Sequence, residues 1–321
     1  MRCLFCYKEL EKDETDFHPA CSRKMFGKPE PPELPYTMRQ MLELGEQVIK
    51  SHISVTGVQP KLSLDIETAP RDFNKPRKSQ RFTIVGLLGG YILKTPAKQY
   101  PHLPELEDLT MHLAEIAGIS VVPHSLIRLQ DGNLAYITKR IDRYKMKKLH
   151  MEDMCQLTER LTEDKYKGSY EQIGKVIVKY SANPGLDLIN FWEQVIFSFL
   201  TGNADMHLKN FSLLQTASGT DYTLAPAYDM VASALVVKGD EEELALNLNG
   251  KKRKIHRKDF DTVMSAFKLL EDRAIVNMYN KFEKGISEWI EFIPLGYIPK
   301  EMKKRYINLL KDRADKLKLR V

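Results

Sequence analysis

The sequence predicts an α+β protein of two lobes, a β-rich first part followed by a mainly α-helical second part. Three observations predict it. From His52 to about Tyr144, short apolar runs rich in β-branched and aromatic residues dominate. From about Met151 onward, apolar residues recur at the three- and four-residue spacing of amphipathic helices. Neither part carries an internal repeat or a low-complexity tract. The 321 residues, 43% apolar and 29% charged, suffice for a sizeable core and exclude disordered, collagen-like and coiled-coil chains. Lys and Arg number 49 against 43 Asp and Glu, for a net +6. That balance is compatible with an anionic ligand and too weak to argue for nucleic acid.

No apolar run approaches the roughly 18–20 residues of a membrane span. The longest, Val195 to Leu200, is broken by Ser198. The first ten residues, with Arg2, Lys8 and Glu9, lack the apolar stretch of a signal peptide. A cytoplasmic protein with no membrane association is expected.

Taken in order, residues 1–35 form a Cys/His-rich segment and a connector. Cys3-x-x-Cys6 is followed by His18-x-x-Cys21. One CxxC places two thiolates on a tight turn, and HxxC supplies the remaining corners of a tetrahedron, so the spacing fits a structural zinc knuckle with no open position. The alternative is a set of small buried thiols in a short cap. Cys155, far away in a predicted helix, reads as core. Lys28 to Pro35 holds four prolines and reads as extended chain. Residues 36–145 form the β-rich lobe, opened by a helix over 36–50. Ser54–Gly57 and Lys61–Leu64 are predicted strands around a turn. Phe82–Val85, Gly90–Lys94, Val121–Val122 and Leu134–Ile137 are further strands, and Leu106–Ile116 is a helix. Residues 146–321 form the helical lobe, with helices over Tyr170–Tyr180, Leu186–Leu200, Lys258–Leu270, Asp272–Ile290 and Glu301–Leu319, and short strands within 201–250. The basic tetrad Lys251–Lys254 and the basic last helix read as solvated faces.

The segment Thr201 to Asn210 carries the clearest chemistry. After an apolar helix it places Asp205 and Asn210 five positions apart. Phosphoryl transfer asks a protein for a carboxylate beside the attacking hydroxyl and for Mg²⁺ ligands, and the protein-kinase catalytic loop supplies both at this offset. The match is weak alone. A second carboxylate, Asp229, follows a short strand and a turn at Leu224 to Tyr228, where a further metal ligand would stand. Asp229 has the alternative role of capping a helix begun near Met230. Lys94, at the end of a predicted strand, is placed to meet α- and β-phosphates, although most strand-end lysines are surface groups. The turn from Ser54 to Lys61 has one glycine and is neither a Walker loop nor GxGxxG.

These segments occur in a telling order: Ile53 to Lys61, Tyr91 to Lys94, Arg140 to Arg143, Glu152 to Gln156, Asp205 to Asn210, and Tyr228-Asp229. Together they resemble the HipA family of bacterial serine/threonine kinases, toxins of toxin–antitoxin systems, from about residue 50 to beyond 300. The resemblance implies a two-lobed protein-kinase-like fold that uses ATP and Mg²⁺. It implies Asp205 as the catalytic base, Asn210 and Asp229 on Mg²⁺, and His207 and Tyr228 beside the nucleotide. Lys94 falls on the phosphates, and Thr56, Gly57, Val58, Gln59 and Lys61 form the phosphate-covering loop. Lys139, Arg140 and Ile141 match the adenine-contacting hinge. The family often carries an acidic residue where Lys139 stands, so only backbone contacts are expected there. Ser54 matches the family's autophosphorylated serine; its phosphate, with roughly −1.5 to −2 charges, would expel the loop and close the nucleotide site.

Only about fifty residues precede Ser54, where full-length family members place a sizeable subdomain. The chain therefore resembles the shortened kinases of three-component systems. The resemblance implies as partners a protein substrate (an aminoacyl-tRNA synthetase), a helix-turn-helix antitoxin that alone contacts DNA, and a separate small protein equivalent to the missing subdomain. Two alternatives stand beside this reading. A small-molecule kinase of the aminoglycoside or choline type shares the D-x-H-x-x-N arrangement, and an idle ATP-binding regulatory subunit would dock on the antitoxin.

Overall fold

The computed structural model describes residues 1–51, 61–68, 80–85, 89–96, 99–144, 147–237, 239 and 241–320. They pack as two units: Met1–Asp108 with Val122–Ile141, and Leu109–Val121 with Asp142–Val321.

Period-two burial builds the first unit. Its elements are α1 (Pro19–Phe26), α2 (Met38–Ser51), β1 (Lys61–Thr68), β2 (Gln80–Ile84), β3 (Tyr91–Lys94), the start of α3 (Leu103–Ile116), β4 (His124–Arg128) and β5 (Leu134–Lys139). The strands form one antiparallel sheet in the order β2-β1-β3-β5-β4. On β1, Leu62 and Leu64 are buried while Lys61, Asp65 and Glu67 are exposed, the alternation of a half-buried strand. Phe82 and Tyr91 pack edge to face at 5.4 Å, and Phe26 joins Phe82 at 5.8 Å. The proline-rich connector holds no helix: it bends over Lys28–Glu30 and runs beside β2 from Pro31 onward. Glu33 N donates to Gln80 O at 2.9 Å and Glu33 O accepts from Phe82 N at 2.8 Å, which lays the connector along β2.

Helices dominate the second unit. It holds the rest of α3, the short strands β6 (Arg143–Tyr144), β7 (Lys147–Lys148) and β8 (Met151–Asp153), then α4 (Met154–Leu157), α5 (Tyr170–Tyr180) and α6 (Pro184–Thr201). Strands β9 (Ser212–Gln215) and β10 (Tyr222–Leu224) and helices α7 (Arg257–Ser265), α8 (Asp272–Phe292) and α9 (Lys300–Lys316) complete it. Helix α6 is apolar nearly all round and is buried from Phe191 to its end, so it forms the centre on which α5, α8 and α9 pack. A three-stranded sheet, β10-β9-β8, lies beside the chain that leaves α6.

Three expectations are corrected. Val121 makes only an isolated bridge, to Ala227, and the strand begins after Pro123, whose carbonyl accepts from Lys139 N at 2.9 Å. Helix α7 stops at Ser265 instead of continuing to Leu270. The chain turns there to press Phe267 into the gap left by Gly174, where any Cβ would stand 2.6 Å from the ring, and to pack it on Trp192 at 6.0 Å. No helix begins at Met230; Asp229 has φ +61°, and the next helical turn, Ser233–Leu235, has Ala232 as its N-cap. The basic tetrad is a paired face, with Lys251 on Asp259, Lys252 on Glu242 and Arg253 on Glu241. Among the described residues no helix is long and apolar enough to cross a membrane.

Candidate active site

The second unit builds its site where α6 ends. Gly202 adopts φ +69° and closes the helix in the left-handed conformation. A Cβ at that position would meet Leu309 at 2.6 Å, so geometry and packing both require glycine. Asn203, fully buried, accepts from Asp205 N through Oδ1 at 3.1 Å, and Ser233 Oγ accepts from Ala204 N at 2.9 Å. The turn then closes on itself. His207 N donates to Asp205 O at 2.8 Å, Asn210 N donates to His207 O at 2.9 Å, and Asn210 Nδ2 donates to Asp205 O at 2.9 Å. The five-residue spacing thus becomes one hydrogen-bonded ring of chain. It presents a half-buried Asp205 and commits the Asn210 amide nitrogen, leaving the carboxamide oxygen as that residue's ligand atom.

Asp229 follows β10, which pairs with β9, the strand that leaves Asn210. Ala225 N donates to Ser212 O and Ala227 N to Ser120 O, which fix the chain up to Tyr228. The Tyr228 hydroxyl bonds Lys209 O at 3.1 Å and Ser212 Oγ at 2.5 Å, so the residue before Asp229 is tied to the residue before Asn210. Asp229 itself is half-buried at φ +61°, a conformation that costs a non-glycine residue about 1–3 kcal/mol and persists where surrounding structure imposes it.

His207 lies between these groups and is buried. Burial pushes its imidazole down to about 4, with Lys165 lowering it further, against the opposing pull of both the Asp205 and the Asp229 carboxylates. The ring is therefore neutral at pH 7. Two buried nitrogens, His207 Nδ1 and Asn203 Nδ2, have no hydrogen-bond partner among the described residues. Buried polar atoms are rarely left so, and a bound polar ligand would satisfy them.

Tyr166 was not legible as part of this site. Its hydroxyl donates to Asp205 Oδ1 at 2.5 Å, and its ring stands edge-on to His207 at 5.0 Å. Its only sequence signal is an aromatic residue between Lys165 and Lys167 in a polar turn.

In the first unit, Lys94 ends β3 and pairs with Glu107 of α3, with both side chains buried. Glu107 also escaped the sequence reading. A buried pair between a strand lysine and a helix carboxylate is also an arrangement found in protein kinases. The next residue, Asp108, accepts from Tyr7 Oη at 2.8 Å and pairs with His124 Nδ1 at 2.8 Å, which anchors the helix to β4. Lys61 opens β1 directly opposite Lys94. At the far end of β5, Lys139 N donates to Pro123 O and Arg140 N to Gly90 O. Ile141 is the last residue of this unit. Ser54, Thr56, Gly57, Val58 and Gln59 lie outside the described residues. Cys3, Cys6, His18 and Cys21 converge at the amino-terminal end of this unit, their ligand atoms all within 4.8 Å of one another.

Residues 53–290 match the model of the HipA-like C-terminal domain. The chain belongs to this family. A HipA-like relative from Haemophilus influenzae, provisionally named a kinase, is 30% identical over 251 residues, covering 72% of this chain and 68% of that one. The serine/threonine-protein kinase toxin HipA of Shewanella oneidensis is 29% identical over 221 residues, covering 62% of this chain and 47% of the toxin. The chain thus spans about half the length of that toxin. A solved structure of Shewanella oneidensis HipA, with HipB and its operator DNA, superposes with TM-score 0.67 at 20% identity, over 96% of this chain and 80% of that one. The HipA-like chain therefore has the two-lobed, kinase-like α+β fold.

Proposed function

We propose that this HipA-like chain is an ATP- and Mg²⁺-dependent protein kinase that transfers the γ-phosphoryl group of ATP to a serine or threonine hydroxyl of another protein. The observation that carries this reading is the closed turn from Asp205 to Asn210, to which Asp229 is tethered through Tyr228. Asp205 accepts the proton of the incoming hydroxyl. Asn210 Oδ1 and the Asp229 carboxylate are hard oxygen donors on separate loops and fit Mg²⁺, which when bound neutralises charge on the phosphates. His207, being neutral, and Asn203 offer buried nitrogens to the nucleotide. Lys94, held in place by Glu107, supplies the cation for the α- and β-phosphates, and Lys61 and the Ser54 loop cover them. The backbone of Lys139 to Ile141 takes the adenine.

Family likeness extends the proposal to a toxin. An aminoacyl-tRNA synthetase is the proposed substrate class, and Ser54 the proposed site of autophosphorylation. The solved Shewanella oneidensis HipA is bound to HipB on operator DNA, which supports a DNA-binding antitoxin as partner here. A small separate subdomain-like protein is the second proposed partner. The test is incubation of purified protein with labelled ATP and Mg²⁺, with and without cell extract. Label is expected on Ser54 or an extract protein, and Asp205→Asn is expected to lower transfer about 10²–10⁴-fold. Absence of transfer by the unaltered chain would leave an idle regulatory subunit as the better reading.

A further inference from the structure

We propose that Cys3, Cys6, His18 and Cys21 form a closed structural Zn²⁺ site that clips the first 27 residues onto the sheet of the first unit. No part of the kinase reading is needed for it. A tetrahedral zinc with Zn–S of about 2.3 Å and Zn–N of about 2.0–2.1 Å has sulfur–nitrogen edges of about 3.6 Å and sulfur–sulfur edges of about 3.8 Å. Here His18 Nδ1 stands 3.5 Å from Cys6 Sγ and 3.8 Å from Cys21 Sγ, and no pair among the four ligand atoms exceeds 4.8 Å. All three cysteines are free thiols, so no disulfide competes for them.

The chain around the cluster is shaped to hold it. Cys3 N donates to Lys8 O at 2.9 Å and Tyr7 N to Cys3 O at 3.0 Å, with Tyr7 at φ +60°, so the CxxC pair sits on one tight turn. His18 is the N-cap of α1 and Cys21 lies in its first turn. Zinc with three thiolates carries net negative charge, which the amino-terminal end of a helix favours. The remaining histidine nitrogen decides the tautomer. Nε2 lies 3.0 Å from Glu9 O, and a carbonyl only accepts, so the proton is on Nε2 and the lone pair on Nδ1 faces the thiols. A histidine ligand held by a backbone carbonyl in this way is the usual outer arrangement of zinc sites. Four protein ligands leave no position for water or substrate, so the metal acts in folding and not in chemistry.

What the clip fastens is visible in its contacts. Leu4 O accepts from Leu126 N at 3.2 Å and from Ser125 Oγ at 3.1 Å, both on β4. Tyr91 Oη on β3 donates to Met25 O at 3.1 Å, and Tyr7 reaches Asp108 on α3 at 2.8 Å. Releasing the metal would free these three anchors together.

The full chain, purified with reduced thiols and without chelators, is expected to contain about one zinc by elemental analysis. Exchange with Co²⁺ under nitrogen is expected to give the intense visible bands of tetrahedral cobalt and a thiolate charge-transfer band. Cys21→Ser should weaken metal binding by more than the about 10–100-fold that loss of an outer partner costs, and Cys155→Ser should leave it unchanged. Because Cys21→Ser could fail to fold, His18→Cys provides the second test: it should keep the zinc and strengthen the charge-transfer band of the cobalt form. A reduced, folded chain that holds no zinc and takes up neither zinc nor cobalt would overturn the proposal. So would a metal that persists in a Cys3→Ser, Cys21→Ser double variant.

Discussion

Removing the Glu107 charge tests the buried pair on which Lys94 depends. Glu107 is 2% and Lys94 4% exposed, so neither group is solvated by water. At a hydrogen-bonded separation of about 2.8 Å and an effective dielectric constant near 20, their attraction is about 6 kcal/mol. Glu107→Gln keeps the shape and loses that attraction, leaving a buried ammonium short of its counter-charge. Lys94 still lies over the Tyr136 ring at 5.4 Å, a desolvated contact worth about 2 kcal/mol, well short of the lost attraction. The expected loss is about 3–5 kcal/mol, a large share of an ordinary folding free energy. Lys94→Met with Glu107→Leu replaces both charges by apolar groups of similar volume and should recover most of it. Urea denaturation of the wild type, Lys94→Met, Glu107→Leu and the double variant gives the coupling directly. ATP-dependent transfer should fall in all three variants, including the stable double one. If Glu107→Gln unfolds within about 1 kcal/mol of wild type and the double variant is no better, the pair is not a desolvated ion pair and the reasoning fails.

Three other outcomes are expected. Tyr166→Phe frees Asp205 Oδ1 from a hydroxyl at 2.5 Å; with about 1 kcal/mol for a half-exposed bond, kcat/KM for the protein substrate should rise about fivefold while KM for ATP stays constant. Gly202→Ala forces a side chain into φ +69° against Leu309 at 2.6 Å, and should cost about 2–4 kcal/mol in a denaturation titration. Burial tends to raise the carboxyl of Glu243, but Lys316, Ile255 N and Arg313 hold it below the usual carboxylate range. Its stabilisation is therefore present above the unfolded value and lost as pH falls through the folded one. Glu243→Gln should destabilise the chain at neutral pH by about 3 kcal/mol, and the difference from wild type should shrink as pH falls below the unfolded carboxylate value and through the depressed folded one.

Several elements were legible because their signal is local. Tyr170–Tyr180 repeats its apolar residues at helical spacing and is α5 to the residue; Lys61–Leu64 alternates and lies in β1. Asp205, Asn210, Asp229 and Lys94 stood out because a few residue types at short offsets carry the chemistry of phosphates. The end of α7 was not legible. Whether the chain stays helical after Ser265 depends on the gap at Gly174, ninety residues earlier in the chain. The same holds for Val121, whose pairing depends on Ala227.

Residue order by itself determined which groups are available: two carboxylates and a carboxamide in kinase-like spacing, a strand lysine, and three thiols with an imidazole. Tertiary structure alone decided who holds them. Glu107 reaches Lys94 because a helix crosses back over a strand, Tyr166 reaches Asp205 across 39 positions, and the carbonyl of Glu9 chooses the tautomer of His18. Spacing within one turn is written in covalent geometry; a contact between distant segments exists only after the core has brought them within hydrogen-bonding range.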